Sequence, residues 1–254
     1  MQEKKRCTAI ILAAGQGRRM GTSVQKQYIE LEGRPVIYYT LKAFQESEVI
    51  DDIVLVVGEG QVSYADREVV KKYHFTKVGA IVEGGKERYD SVWQGLKAIA
   101  DREGKRAEKD QEGYVFIHDG ARLFVDEDIL KRGYESVSRY GACVAGMPSK
   151  DTVKLTDKEN FAVSTPQRKF VWNVQTPQVF GTSLIIEAYS RLMQEESVNV
   201  TDDAMAVEQT MRVPVKLFEG SYENIKITTP EDLEVARLFL KNHFKKEGHF
   251  IQHY

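Results

Sequence analysis

The chain has 254 residues, 42% of them hydrophobic and 29% charged, and its 36 basic and 38 acidic side chains leave a formal charge of −2. That length can bury a large core, the near-balance of charge argues against a dedicated nucleic-acid binder, and no apolar run approaches membrane-spanning length. The two cysteines, Cys7 and Cys143, both sit in apolar strand-like runs and read as small buried hydrophobes of a reduced compartment, so the expected location is cytoplasmic.

Strand-like and helix-like segments alternate along the chain, which predicts an α/β fold with a mostly parallel sheet and helices on both faces. Residues 7–12 form the first strand; basic residues precede it, but the run is short and leads to Arg18 and Arg19, so it reads as a core strand and not as a secretory signal. Residues 36–45 follow as a helix with Pro35 at its start, where a missing N–H is tolerated. Residues 53–57 are a buried strand, 61–72 a helix, 78–82 a strand ending at Gly84-Gly85, and 88–100 a helix with Val92, Leu96 and Ile99 on one face. Residues 114–118 make the next strand, 126–140 a helix and 142–147 a further strand. The stretch 101–112 carries nine charged residues of twelve and reads as a solvated surface excursion. Residues 150–171 alternate polar with apolar side chains and predict a β-hairpin or arm projecting from the sheet. Residues 174–180 return to strand character, 184–194 are helical, and Thr201-Asp202-Asp203 can open a helix at Ala204. Residues 215–218 and 225–227 read as late strands. Thr229-Pro230-Glu231-Asp232 then starts the last helix, with a capping hydroxyl, a proline and two acids at the positive end of the dipole. A single domain spanning 1–254, with an arm at about 150–172, is the economical organisation.

In an open parallel sheet, ligands bind outside the carboxyl ends of the strands. The first strand ends in Ala13-Ala14-Gly15-Gln16-Gly17-Arg18-Arg19, where small residues let the backbone approach a ligand and arginines can meet phosphate oxygens. The third glycine of a dinucleotide fingerprint is missing, because Met20 stands there, and no Gly-Lys-Ser/Thr of a P-loop follows. Further polar clusters fall at Lys26, at Gly84 to Ser91, at His118-Asp119-Gly120-Ala121-Arg122, at Lys150-Asp151-Thr152 and at Asn224-Ile225-Lys226. Arg19, Lys26 and Lys226 share one natural task, which is to stabilise charge gathering on a transferring phosphoryl group. Asp119 is the best candidate for a magnesium ligand, since a bare carboxylate beside phosphates would repel them. Each group alone has a plainer reading: Lys26 as a solvated lysine, Asp119 as a helix cap or partner of Arg122, His118 as a loop-orienting residue, Thr152 and Thr176 as turn or strand hydroxyls, Arg168 as surface charge.

Taken together and in order, these clusters resemble the cytidylyltransferases of the isoprenoid precursor pathway, the 2-C-methyl-D-erythritol 4-phosphate cytidylyltransferase family. The matching stretches run from Ala13-Ala14-Gly15-x-Gly17-x-Arg19-Met20-Gly21 through Lys26-Gln27-Tyr28, Gly84-Gly85-x-x-Arg88-x-x-Ser91-Val92, His118-Asp119-x-Ala121-Arg122, Lys150-Asp151-Thr152-Val153-Lys154, Gln175-Thr176-Pro177-Gln178-x-Phe180 and Thr201-Asp202 to Glu219-Gly220-x-x-x-Asn224-Ile225-Lys226-Ile227-Thr228. The resemblance implies a three-layer, Rossmann-like nucleotidyltransferase fold and transfer of CMP from CTP to a sugar-alcohol phosphate. Ala13, Ala14, Gly15, Gly85 and Ser91 would form the cytosine and ribose pocket, and Asp119 would hold Mg²⁺ at the triphosphate. Arg19 and Lys26 would stabilise the transition state. Arg122, Thr152, Arg168, Thr176 and Lys226 would bind and aim the acceptor, with Lys226 and Arg168 also counted among the catalytic cations. The family exchanges its arm between two subunits, so Thr152 and Arg168 would serve the partner's site in a homodimer.

The chain departs from the family at Leu123 and Gly120, where proline and alanine are common, and at Gln25. Glycine is freer than alanine, so Gly120 and Leu123 predict a looser loop around Asp119. The ribitol 5-phosphate cytidylyltransferases of teichoic acid synthesis share most of these motifs, although residues 150–154 and 168–172 look more like the isoprenoid enzyme. The same motifs also admit a sugar-1-phosphate nucleotidyltransferase or a catalytically silent nucleotide-binding protein of the same fold.

Overall fold

The structure is a computed structural model that describes residues 4–15, 25–103, 112–195 and 197–246. In chain order its elements are β1 (Cys7–Ala13), the small hairpin β2 (Glu30–Leu31) and β3 (Arg34–Pro35), α1 (Val36–Glu46), β4 (Asp52–Val57), and a short helical turn α2 (Val62–Tyr64) that continues as a π-helical stretch, Ala65–Lys71. Then follow β5 (Val78–Glu83), α3 (Arg88–Glu103), β6 (Tyr114–Asp119), α4 (Glu127–Tyr140), β7 (Ala142–Pro148), β8 (Leu155–Thr156), β9 (Ala162–Ser164), β10 (Trp172–Gly181), α5 (Thr182–Leu192), α6 (Asp203–Met211), β11 (Lys216–Glu219) and α7 (Pro230–Lys246).

Seven strands form one sheet in the order β11-β7-β10-β6-β1-β4-β5. Parallel pairing runs through β6-β1-β4-β5 and joins β7 to β11; β10 runs antiparallel between β6 and β7. The period-2 alternation of the strands sorts their side chains into two layers. Ala9 and Ile11 of β1, Ile53 and Leu55 of β4 and Phe116 of β6 pack with α1, the π-helical stretch and α4 on one face. Ile10, Val54, Val56, Val115 and Ile117 pack with α3, α5 and α6 on the other. Both faces of β4 and β6 are covered, which is why they read as unbroken buried runs. Each fully buried aliphatic or phenyl side chain contributes about 1.5–3 kcal/mol.

A third, smaller cluster docks α7 over the segment that follows β6 and joins Leu123, Phe124, Ile227, Leu233 and Ala236. It overturns two sequence expectations. Residues 225–227 do not form a strand. Ile227 N–H donates to the Ala121 carbonyl (2.8 Å) and its side chain is fully buried, so this segment clamps the loop after β6 instead of joining the sheet. The apolar-polar-apolar pattern mimicked a strand. The loop around Asp119 is also not loosened by Gly120 and Leu123. Gly120 N–H donates to the Leu12 carbonyl (2.9 Å), Thr40 Oγ1 donates to the Gly120 carbonyl (3.1 Å), and Leu123 is buried under α7. Other helix and strand bounds shift by a few residues, and most of the charged stretch 101–112 lies outside the described residues. The arm region holds β8 and β9, paired antiparallel as a sheet of their own with every residue exposed.

Candidate active site

A cleft of about 200 Å³ opens at the carboxyl ends of β1 and β6, lined by residues 12–15, 26, 27, 85–88, 91, 119, 121 and 226. One wall is the end of β1. Gln27 is buried and its Nε2 donates to the Ala13 carbonyl (2.6 Å), tying that strand end to the segment carrying Lys26. The loop from β5 to α3 closes over it so tightly that only glycine fits at two positions. A Cβ on Gly84 would lie 2.6 Å from both Ala14 Cβ and Ser91 Oγ, and one on Gly85 would lie 2.2 Å from Asp90 Cβ. Ser91 Oγ accepts from Gly85 N–H (3.2 Å), and Asp90 accepts from Glu87 N–H (3.0 Å) at the start of α3.

The floor is an ionic cluster centred on Asp119, the last residue of β6. Lys226 Nζ lies 2.8 Å from Asp119 Oδ2, and the Nε atoms of Arg88 and Arg122 lie 3.6 Å from its two oxygens. Burial would raise the Asp119 carboxyl, but the charges of Arg88, Lys226 and Arg122 and the Lys226 hydrogen bond hold it far below the usual carboxylate range. Arg88 also makes a two-pronged contact with Asp203 at the start of α6, at 2.8 and 2.7 Å, and Tyr189 Oη donates to the same carboxylate (2.5 Å). Burial acts to lower the Arg88 pKa, yet Asp203 and Asp119 raise it well above its ordinary value. Lys26 Nζ donates to the Ile227 carbonyl (3.0 Å), so the two lysines meet at one segment. Arg88, Arg122 and Lys226 face the carboxylate of Asp119, Arg88 also that of Asp203, and with Lys26 on the same cleft the cationic excess suits a polyanionic ligand.

Behind this floor lies a buried hydrogen-bonded cluster. Asp119 N–H donates to Thr176 Oγ1 (3.1 Å), and His118 touches Thr176 Oγ1 through Nδ1 (3.0 Å) and the Arg122 carbonyl through Nε2 (2.9 Å). A carbonyl only accepts, so Nε2 carries the proton and the Thr176 hydroxyl donates to Nδ1. Burial, with Arg122 and Lys226 nearby, pushes the His118 imidazole down to about 4, so the ring is neutral. Asn224 Nδ2 donates to the Thr176 carbonyl and Arg122 Nη1 donates to the Asn224 carbonyl, both at 2.8 Å.

The structure thus gathers Ala13, Ala14, Gly15, Lys26, Gly85, Ser91, Asp119 and Lys226 on one cleft, with Arg122 and Thr176 directly behind its floor. Thr152 and Arg168 are not brought there within one chain. Both are exposed within the arm, where Arg168 Nη1 donates to the Lys150 carbonyl (3.2 Å). Arg19 lies outside the described residues. The sequence assigned no site role to Arg88, Gln27 or Asp203, although Arg88 and Gln27 stand inside matching stretches and Asp203 inside the triplet expected to open a helix. Nothing in a linear pattern pairs positions 88 and 203, which meet only because α3 and α6 cover the same face of the sheet. Among the described residues no group of three His, Cys, Asp or Glu side chains is poised for a metal, and no helix is long and apolar enough to cross a membrane.

Comparison with known proteins agrees along almost the whole chain. The family model of IspD, 2-C-methyl-D-erythritol 4-phosphate cytidylyltransferase, matches residues 7–242. A protein of that name from Lachnospira eligens is 48% identical over 235 residues, covering 92% of this chain and 99% of the relative. One from Alkaliphilus oremlandii is 44% identical over 248 residues, covering 98% and 100%. The crystal structure of 4-diphosphocytidyl-2C-methyl-D-erythritol synthase from Anaerococcus prevotii superposes with a TM-score of 0.78 at 34% identity, covering 94% of this chain and 97% of the other.

Proposed function

The chain belongs to the 2-C-methyl-D-erythritol 4-phosphate cytidylyltransferase family, and on that footing we propose that it transfers CMP from CTP to 2-C-methyl-D-erythritol 4-phosphate, releasing pyrophosphate. The observation that carries this reading is the convergence of Lys26, Lys226 and Asp119, 200 positions apart in sequence at the extremes, beneath the small-residue end of β1.

A phosphate oxygen of the acceptor attacks the α-phosphorus of CTP in line. The new P–O bond forms as the bond from the α-phosphorus to the bridging oxygen breaks, and pyrophosphate leaves with that electron pair. No covalent enzyme intermediate is needed, so this chain's work is placement and charge stabilisation. Backbone groups of Ala13, Ala14, Gly15 and Gly85, with Ser91, take the cytidine, since the small side chains leave the backbone within reach. Lys26, Lys226 and Arg19 stabilise charge on the non-bridging oxygens. Arg122, with Lys226, anchors the acceptor phosphate, and Thr176 faces the same corner from behind. Arg168 and Thr152 complete the acceptor site across a homodimer, a reading supported by the arm's exposed apolar residues Leu155, Phe161, Val163 and Phe170.

Asp119 would hold magnesium as its single protein carboxylate, since magnesium characteristically takes one or two carboxylates and fills its shell with phosphate oxygens and water; the Lys226 ammonium, now 2.8 Å from Asp119 Oδ2, would then turn to the phosphates. When bound, the metal would neutralise triphosphate charge beside Asp119. The test is pyrophosphate release from CTP and Mg²⁺ with methylerythritol phosphate or ribitol 5-phosphate as acceptor. Release with the former at much the higher kcat/KM is expected; preference for ribitol phosphate, or CTP binding without release, overturns the reading.

A further inference from the structure

The cluster behind the cleft floor does something that charge placement alone does not explain. His118 is fully buried and is not among the residues that line the cleft, so its ring does not meet a substrate there. Yet both of its ring nitrogens are engaged, one by the Arg122 carbonyl and the other by the Thr176 hydroxyl that also accepts from Asp119 N–H. The bonds run in one direction: Asp119 N–H to Thr176 Oγ1, Thr176 hydroxyl to His118 Nδ1, His118 Nε2–H to the Arg122 carbonyl. They start on the peptide of the floor carboxylate and end on the peptide of the arginine that faces it.

The same cluster reaches Lys226. Asn224, also fully buried, holds the Thr176 carbonyl and receives Arg122 Nη1, and it lies two residues before that lysine. Three separate pieces of chain, the end of β6, the irregular centre of β10 and the segment 221–228, are thereby locked together at one point. The ring of His118 also packs against Phe44 of α1, at 5.0 Å between centroids, which fixes its plane.

We propose that His118 is a positioning residue for the transfer reaction, setting the Asp119 and Arg122 peptides, and through Thr176 and Asn224 the Lys226 segment, in the arrangement that meets the reacting phosphates. This rests on the activity proposed above. It assigns His118 no contact with substrate and no proton transfer. Its contribution is geometric: catalytic groups displaced by about 1 Å can cost a hundredfold in rate.

Two amide variants separate this role from simple packing. In His118→Asn the amide oxygen occupies the place of Nδ1 and still accepts from Thr176, while the Arg122 carbonyl, losing the Nε2 donor, keeps Thr40 Oγ1 at 3.4 Å as a donor. In His118→Gln a donor toward the Arg122 carbonyl remains and the acceptor for Thr176 is lost. We expect His118→Gln to lower kcat on the order of tenfold to a hundredfold, with the KM values for CTP and acceptor held within about threefold. His118→Asn should recover to within about fivefold of the parent kcat. Turnover is normalised to folded protein by thermal unfolding, and hydrogen exchange of the peptide spanning 117–123 is followed in the absence of substrate. Exchange there should accelerate in His118→Gln and stay near the parent rate in His118→Asn. Equal impairment of the two variants, parent-like kcat in His118→Gln, or a loss that follows only the unfolded fraction would each overturn the proposal. Lack of turnover by the parent enzyme would instead refute the assigned activity, and the exchange measurement would still decide the positioning role.

Discussion

Replacing Asp203 with alanine tests the least visible part of the site. Its carboxylate is fully buried, receives two guanidinium N–H groups of Arg88 at 2.8 and 2.7 Å, and accepts from Tyr189 at 2.5 Å. Removing one partner of such a pair strands the other charge in a poorly solvated place, which costs about 3–5 kcal/mol. Arg88 keeps Asp119 at 3.6 Å as a second counter-charge, and its side chain is 28% exposed, so the lower end applies, about 3 kcal/mol. In a chain of this size each kcal/mol moves the melting temperature by roughly 2–4 °C, which gives a fall of about 6–12 °C. Urea unfolding followed by fluorescence and circular dichroism measures it. The double variant Arg88→Met with Asp203→Leu should recover most of the stability, because apolar groups of similar volume replace buried ion pairs at little cost. A loss below about 1 kcal/mol for Asp203→Ala, or no recovery in the double variant, would refute the reasoning.

Three further outcomes are expected. Lys26→Ala should lower kcat far more than it alters the KM for CTP, as for a charge that matters most in the transition state; unchanged turnover in a steady-state assay would remove Lys26 from the catalytic cations. An equimolar mixture of Lys26→Ala and Arg168→Ala chains, dissociated and reassociated, should regain about one quarter of parental activity, because half the dimers then hold one site with both groups intact; a mixture no more active than its components argues that Arg168 serves its own chain or none. The His118 imidazole is held down to about 4 in the folded state against an ordinary value near 6.5, so between those values the unfolded chain binds the extra proton. Stability from this group is therefore complete above about pH 6.5 and falls as pH drops, by about 2 kcal/mol between pH 6.5 and 5, and His118→Asn should flatten the urea-derived stability curve in that window.

Much of the fold is legible along the chain because burial imposes a period. The strand runs at 53–57 and 114–118 and the helix stripe of Val92, Leu96 and Ile99 reappear as elements of the two core layers. The site was legible where its residues follow a strand end, as at Ala13 to Gly15, Gly84-Gly85 and His118-Asp119. It failed where local pattern and long-range packing disagree. Ile225-Lys226-Ile227 has the alternation of a strand, but Ile227 is drawn into the cluster under α7 and its N–H goes to Ala121. Leu123 read as a loosening departure and proves to be part of that same cluster.

Local chemistry written in the order of residues was enough to set the alternation of strands and helices, the glycine and alanine stretches at strand ends, and the set of charged groups available for phosphate. Only the folded chain decided which charges become neighbours. Arg88 meets Asp203, Lys226 meets Asp119, and Lys26 meets the carbonyl of Ile227, the residue after Lys226. The physical reason is that periodicity reports how each segment faces the core, while electrostatic partnership depends on distances between segments, which the packing of α3 and α6 against the sheet and of α7 over the segment after β6 sets.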